Sequence, residues 1–153
     1  MRDMLSYDAT AVSAAPPAVV WRLLADARTW PTWSAVDSLV ADRSSGLDPG
    51  GSDPVGAVRA FRTGRTVTGE RLTGLVEGKQ LTYEDAFNPT IRDYRAVVDL
   101  TPTADGGTTI HWHGTYRARW GMGWLMNRVM RRVMQQMADG LASHAQTLPP
   151  EPA

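Results

Sequence analysis

The feature that most constrains this chain is a change of hydrophobic period near residue 122. From Met122 to about Gln146 the apolar residues recur every three to four positions, which predicts one amphipathic helix of roughly 37 Å. Before this point apolar and polar residues alternate, as they do in β-strands. The predicted apolar side of the helix carries Met126, Met130, Val133, Met134, Met137 and Leu141. We therefore expect the helix to cover a sheet.

Tight turns join most of the strand-like segments. Gly64-Arg65 and Asp105-Gly106-Gly107 are hairpin signals, because glycine accepts positive φ without a steric penalty. Strands joined by such turns are antiparallel. The predicted strands span residues 5–14, 35–41, 55–63, 66–77, 80–86, 92–101 and 108–119, and a loop rich in Gly, Ser, Asp and Pro covers 44–54.

Two short helices are predicted directly after the first strand. Pro16-Pro17 supplies the fixed backbone angles of a helix start, and the apolar residues of 19–24 form one side of the helix that follows. Thr29–Ser34, with a proline between two tryptophans, predicts a second short helix or a tight turn. This order of elements predicts an α+β fold, in which a curved antiparallel sheet wraps around the long C-terminal helix.

Composition narrows the classes of function. Lys plus Arg and Asp plus Glu each number 16, and this balance argues against nucleic-acid binding. The chain has no cysteine, which excludes disulfides, zinc-thiolate sites and thiol nucleophiles. Met1–Thr10 lacks the apolar run of a signal peptide, and no segment is long enough to span a membrane. We expect one cytoplasmic domain over residues 1–153, ordered from about 5 to 146, with a flexible tail at 147–153 and no stable membrane insertion.

One segment carries a family resemblance. Val20-Trp-Arg-Leu-Leu-Ala-Asp-Ala-Arg-Thr-Trp-Pro-Thr-Trp-Ser34 resembles the helical signature of the START / polyketide cyclase / birch-pollen-allergen superfamily, also called SRPBCC. Gly78–Glu84 and Gly107–Trp112 also resemble strand openings in that superfamily. The similarity runs from Tyr7 to about Gln146 and implies the helix-grip fold. The superfamily includes lipid carriers, hormone receptors, aromatases, cyclases and chaperone cofactors, and its members share no catalytic residue.

The resemblance implies a ligand held between the sheet and the long helix. Alternate residues of a strand face the same side, so Ile110, Trp112, Gly114 and Tyr116 are expected to face the helix, as are Tyr94, Ala96, Val98 and Leu100. Methionine suits an adaptable pocket wall, although the same stripe also suits ordinary core packing. The predicted ligand-binding residues are Trp33, Phe61, Glu70, Leu72, Tyr83, Tyr94, Val98, Trp112, Tyr116, Met126, Met130, Met134 and Met137.

Glu70, Tyr83 and Asp85 are the candidates for acid–base chemistry. Each shares a strand face with an apolar residue, and an unpaired carboxyl in an apolar cavity has a raised pKa. The favoured alternative for the acids is structural, with Glu70 paired to Arg59, Arg62 or Arg71, or exposed to solvent.

Two further patterns are weaker as functional signals. His111 and His113 have the only metal-like spacing, but no third ligand is evident, so we expect two solvent-facing histidines and predict no metal and no other cofactor. Trp30 and Trp33 either close a pocket or anchor the short helices to the sheet.

The favoured function is binding of an apolar or amphipathic small molecule, such as a lipid, an isoprenoid or a polyketide. The first alternative is a polyketide cyclase or dehydratase that uses an acid or base in the same cavity. The second alternative is a protein-interaction module of the chaperone-cofactor kind, whose partner the sequence does not identify. Its contact face would be the arginines at 117, 119, 128, 131 and 132.

Overall fold

A computed structural model of the chain describes residues 4–119 and 123–149. The strands are β1 (Leu5–Ser13), β2 (Ser38–Leu39), β3 (Val58–Thr63), β4 (Thr66–Val76), β5 (Gln80–Phe87), β6 (Ile91–Pro102) and β7 (Thr108–Ala118). They form one antiparallel sheet in the spatial order β1-β7-β6-β5-β4-β3-β2. Short turns join β3 to β4, β4 to β5, β5 to β6 and β6 to β7, which places these five strands side by side in chain order. Residues 40–57 lead from β2 to β3, and β1 pairs with β7 although most of the chain separates them.

The helices are α1 (Pro17–Ala25), α2 (Trp30–Trp33) and α3 (Gly123–Ala145). Proline stands at the start of α1, where its missing N–H group costs no helical hydrogen bond. α3 lies across the sheet and packs mainly on β1, with further contacts to β7, α1 and α2. The predicted helix-grip fold is confirmed, and we call the sheet surface that α3 covers the inner face.

The predicted strand at 35–41 is wrong in extent, because only Ser38–Leu39 is β-structure and Ala41–Arg43 is a turn of 3₁₀ helix. Ser44 explains the difference: its hydroxyl donates to the Val40 carbonyl at 2.8 Å and accepts the Ala60 N–H at 3.0 Å, replacing ladder bonds. β3 likewise begins at Val58 rather than at residue 55, after a turn with Gly56 at φ 94°.

Strand alternation places the core between the inner face and the helices. The predicted inward sets of β6 and β7 are buried, and β1 contributes Tyr7, Ala9, Ala11 and Ser13 in the same way. Leu148, in the segment predicted to be a flexible tail, packs against this core. The predicted helix start at Met122 and the end of that tail, residues 150–153, lie outside the described residues.

α3 is packed unevenly along its length. Its buried residues all lie in the C-terminal half: Met134, Met137, Ala138, Leu141, Ala142 and Ala145. In the N-terminal half Met126 and Met130 are only half-buried, and Trp124 is 69% exposed. Val133, predicted to face inward, is 36% exposed because it lies at the edge of the buried stripe. Over the described part of the chain, no helix combines the length and the hydropathy needed to cross a bilayer.

Candidate ligand site

A row of residues with small side chains at its centre crosses the inner face. Tyr7 on β1 pairs with Gly114 on β7, and Gly114 pairs with Ala96 on β6. Ala96 in turn pairs with Tyr83 on β5. A Cβ atom at Gly114 would lie 2.9 Å from the Tyr7 hydroxyl oxygen, so glycine leaves the space that this tyrosine occupies. The row therefore has a phenol ring at each end, and the small residues Gly114 and Ala96 between them leave space for the tyrosine hydroxyls.

Three tyrosine hydroxyls lie close together in that space. Tyr94 Oη lies 2.5 Å from Tyr7 Oη and 3.0 Å from Tyr83 Oη. Trp112 Nε1 donates a hydrogen bond of 3.2 Å to Tyr83 Oη. Three hydroxyls carry three protons and these two bonds use two, so the third O–H can either donate between Tyr7 and Tyr83, which are also hydrogen-bond partners, or donate to another acceptor. We call Tyr7, Tyr83 and Tyr94 the tyrosine cluster.

The tyrosine cluster is neutral at ordinary pH. None of its three side chains is more than 8% exposed. Burial raises the pKa of Tyr7, and it raises the pKa of Tyr83 and of Tyr94 well above the ordinary value. The cluster can therefore donate hydrogen bonds to a ligand oxygen but does not supply a phenolate base.

A buried ion pair lies near the cluster. Arg59 Nη2 donates to Glu70 Oε1 at 2.7 Å, and Arg59 Nη1 donates to the Leu24 carbonyl at 2.7 Å. The guanidinium also lies 4.6 Å from the centre of the Trp30 ring. Burial raises the pKa of Glu70, while the charge and hydrogen bond of Arg59 act against that rise. Glu70, a candidate for acid–base chemistry, is thus paired with Arg59, which is one of the structural alternatives predicted from the sequence.

Asp85, the other candidate acid, lies at the edge of the inner face. One of its oxygens accepts the backbone N–H of Tyr94 at 3.2 Å. Burial raises the pKa of Asp85, and this hydrogen bond acts in the opposite direction. Beside it β5 and β6 no longer pair, and a groove of about 430 Å³ opens there, lined by Met4, Asp85, Asp93 and Tyr94 among others. The groove is also lined by Arg95 and Thr115, which face away from α3, so it opens on the side of the sheet opposite the tyrosine hydroxyls.

Aromatic rings fill the interior beside α2. Trp30 stacks on Phe61 with ring centres 5.0 Å apart, and Trp33 and Trp112 lie 4.9 Å and 5.6 Å from Trp30. Trp30 is 1% exposed and donates through Nε1 to the Leu24 carbonyl, while Trp33 is 6% exposed. Both tryptophans thus anchor α2 to the sheet. Of the other predicted lining residues, Leu72 and Val98 are fully buried on the inner face.

The N-terminal half of α3 is linked to the cluster through Tyr116. The Tyr116 hydroxyl and the Asn127 side-chain amide are hydrogen-bonded at 2.8 Å, and the rings of Tyr116 and Tyr94 meet edge to face at 6.4 Å. Burial raises the pKa of Tyr116 to about 12. Met126 and Met130 flank Asn127 on this part of the helix and are half-buried. The predicted residues Met134 and Met137 lie farther along α3 and are fully packed.

Two residues of this arrangement were missed by the sequence analysis. Tyr7 had a signal, because it shares the alternation of Ala9 and Ala11 on the predicted first strand. Asn127 had a weaker one, as a polar residue at an otherwise inward-facing position of α3. All four tyrosines of the chain belong to this interior network.

Comparison with known proteins places this chain in a family. A family described as polyketide cyclase / dehydrase and lipid transport has a sequence model that matches residues 4–146. The chain belongs to this family. That membership confirms the resemblance seen in the sequence and, because polyketides and lipids are largely apolar, supports hydrophobic ligand binding in general. No curated protein matches the chain.

Solved structures share the fold at low sequence identity. A START superfamily protein from Mycobacterium smegmatis is 13% identical with a TM-score of 0.75, covering 95% of this chain and 99% of that one. Norcoclaurine synthase from Thalictrum flavum, solved with dopamine and hydroxybenzaldehyde, is 12% identical with a TM-score of 0.73, covering 98% and 91%. The protein XoxI from Bacillus cereus is 16% identical with a TM-score of 0.73, covering 92% and 94%. At these identities the likeness shows the fold alone.

Proposed function

We propose that this protein binds an apolar or amphipathic small molecule, of the lipid, isoprenoid or polyketide kind, between the inner face and the N-terminal half of α3. The observation that carries this proposal is the tyrosine cluster, which brings three O–H groups together inside an apolar interior. A ligand with a hydrocarbon body and one oxygen acceptor would gain from both features. Burial contributes about 25 cal/mol per Å² of apolar surface, and the hydrogen bond fixes the orientation.

The packing of α3 supports the same location. Met126 and Met130 are the inward-facing side chains that remain half-buried, and methionine adapts its three torsions to the shape of a guest. Asn127 and Tyr116 connect this part of the helix to Tyr94. A ligand entering beneath these methionines would therefore meet the hydroxyls of the tyrosine cluster.

Acid–base catalysis by Asp85 is the second candidate, and one observation favours it. Asp85 combines a raised pKa with a hydrogen bond from the Tyr94 backbone and lines the groove that opens where β5 and β6 stop pairing. Glu70 is less suited, because its carboxylate is paired with Arg59. For any cyclisation or dehydration that the protein accelerates, Asp85→Asn is expected to lower kcat at least about 100-fold while Glu70→Gln alters mainly stability.

The first experiment is native mass spectrometry of the untagged protein, followed by solvent extraction of anything bound. We expect a stoichiometric apolar molecule that carries at least one oxygen. An empty protein that gains no thermal stability from lipids or polyketides would contradict the proposal and favour the protein-interaction alternative.

The second experiment tests the tyrosine cluster with a matched pair of naphthalene ligands, whose affinities are measured by calorimetry. 2-Acetylnaphthalene and 2-ethylnaphthalene have nearly the same shape, but only the first has an oxygen acceptor. Tyr94→Phe removes the hydroxyl that bonds the other two, so the O–H groups of Tyr7 and Tyr83 lose their fixed directions. We therefore expect 2-acetylnaphthalene to bind about tenfold more weakly and 2-ethylnaphthalene to stay within about twofold. Equal loss for both ligands would show that the substitution acts only through packing, and the proposed role of the cluster would be wrong.

A further inference from the structure

The outer face of the sheet, opposite the tyrosine cluster, carries a compact group of histidines and carboxylates. His111 and His113 lie two positions apart on β7, so both side chains point to the same side. Their rings stack with centres 4.3 Å apart and an interplanar angle of 22°. Asp8 on β1 and Asp99 on β6 are the strand partners of His113 and His111 on either side. The pairing register alone thus gathers two imidazoles and two carboxylates.

The distances within this group suit metal ligation. One donor atom from each of Asp99, His111 and His113 can be chosen so that all three lie within 4.8 Å of one another. The His113 Nε2 to Asp99 Oδ2 distance is 3.0 Å, and the His111 Nε2 to Asp8 Oδ1 distance is 2.9 Å. Ligand atoms around a tetrahedral zinc ion, at bonds of about 2.0–2.1 Å, lie roughly 3.3 Å apart. A small rotation of the His111 side chain would bring the three donors to that separation.

We propose that Asp99, His111 and His113 form a binding site for a divalent transition metal of the zinc class on the outer face. Two imidazoles and one carboxylate are the donor types that zinc, nickel and cobalt accept at such sites. The sequence analysis predicted no metal here because the spacing of His111 and His113 offered only two donors. Asp99 is distant in sequence and is brought beside them by the pairing of β6 with β7.

The surroundings suit a site that keeps an open coordination position. Gln80 Nε2 donates to Asp99 Oδ1 at 2.8 Å, which orients that carboxylate so that Oδ2 faces His113. A groove of about 310 Å³, lined by Asp8, Arg95 and His113 among others, opens beside the histidines. Water or a small anion can therefore reach a bound metal, and the cation Arg95 would favour an anion. The site lies on the other side of the sheet from Tyr94, so it does not depend on the proposed ligand site.

The test is a cobalt titration of untagged protein that has been dialysed against a chelator. We expect visible absorption bands of a low-symmetry cobalt complex that saturate at one metal per chain, with zinc competing for the same site in calorimetry. His113→Ala is expected to weaken binding at least about 100-fold. His144→Ala, which removes the only other histidine of the chain, is the control and is expected to leave binding within about twofold. No saturable binding at micromolar metal, or equal losses in the two variants, would overturn the proposal.

A second pair of variants tests the role assigned to Asp99. Asp99→Asn is expected to weaken cobalt binding about tenfold and to shift the absorption bands, since it replaces a charged oxygen donor. Asp8→Asn is expected to change the affinity no more than about threefold, because Asp8 only orients His111. If Asp99→Asn binds cobalt as tightly as the unmodified protein, then the histidine pair alone holds the metal and the three-residue site is wrong. Circular dichroism of each variant checks that the sheet is retained.

Discussion

The two halves of α3 face the same sheet but pack in different ways. In the C-terminal half, Ser13 Oγ donates to the Ala142 carbonyl at 2.7 Å, and a Cβ atom at Gly140 would lie only 2.0 Å from the Trp33 carbonyl oxygen. In the N-terminal half, a Cβ atom at Gly123 would meet Leu5 at an ordinary 3.5 Å, and Met130 is half-buried. One half is held by close backbone approach, and the other rests on flexible side chains.

The difference lets one half of the helix complete the core while the other half is available to cover the proposed ligand. Small residues such as Ala138 and Ala142 let the C-terminal half come close to the sheet and fix the position of the helix axis. Methionines in the N-terminal half fill space without specifying one shape, so a guest can displace them at little cost. The division predicts that stability depends mainly on the first set of contacts and ligand affinity mainly on the second.

The largest effect should come from alkaline pH, because the interior network contains every tyrosine of the chain. Burial raises the folded-state pKa of each, whereas unfolded tyrosine ionises near pH 10. The folded protein therefore holds more protons above pH 10, and stability that is complete below pH 10 is lost as the pH rises. The expected loss is about 1.4 kcal/mol per tyrosine for each pH unit.

Absorbance at 295 nm and urea unfolding, recorded together from pH 9 to 12, measure this loss. Tyr116, next to the loosely packed half of α3, has a pKa of about 12 and is expected to ionise before the tyrosine cluster. Tyr116→Phe should reduce the pH slope of stability by one proton. Phenolate absorbance that appears at pH 10 in the folded protein would mean that water reaches the tyrosines, and the interior beneath α3 would then not be closed as described.

Replacing glycine by alanine in each half of α3 is expected to give effects of opposite sign. Gly140→Ala places a Cβ atom against the Trp33 carbonyl, which is backbone and must move, so we expect a loss of about 2–4 kcal/mol. Gly123→Ala meets only ordinary contact and is expected to be neutral or to stabilise by up to about 1 kcal/mol, since alanine favours helix. Urea unfolding of both variants measures the difference. A stabilising Gly140→Ala would show that the close approach does not exist.

Local pattern was sufficient to predict most of the fold, because the turns, the alternation and the final helix are each encoded in adjacent residues. The strand at Ser38–Leu39 was predicted to be too long. The Ser44 side chain bonds backbone groups that would otherwise pair in the sheet, and the alternation of apolar residues does not reveal such bonds. The inward-facing residues of β6 and β7 were also predicted, because the same alternation that indicates a strand shows which of its residues share a face.

The chemistry of the site was less accessible, since it depends on register between distant strands. Nothing local indicates that Arg59 would bond both Glu70 and the Leu24 carbonyl, although pairing with Glu70 was one of the stated alternatives. Tyr7 reaches Tyr94 only because Gly114 lies between their strands. Likewise Asp99 joins the two histidines through strand pairing alone.

The smallest predicted effect compares one substitution at two methionines. Met134→Ala removes a side chain that is 5% exposed and is expected to cost about 2–4 kcal/mol. Met130→Ala, one turn earlier and half-buried, is expected to cost about 1 kcal/mol or less, because little contact is lost. Its effect should instead appear in binding, as a change of at least threefold in the affinity for 2-acetylnaphthalene that Met134→Ala does not match once stability is allowed for. Urea unfolding and calorimetric titration of both variants measure the two quantities separately. Equal costs in stability, with no change in affinity at Met130, would mean that both halves of α3 are simply core, and the ligand would have to bind elsewhere.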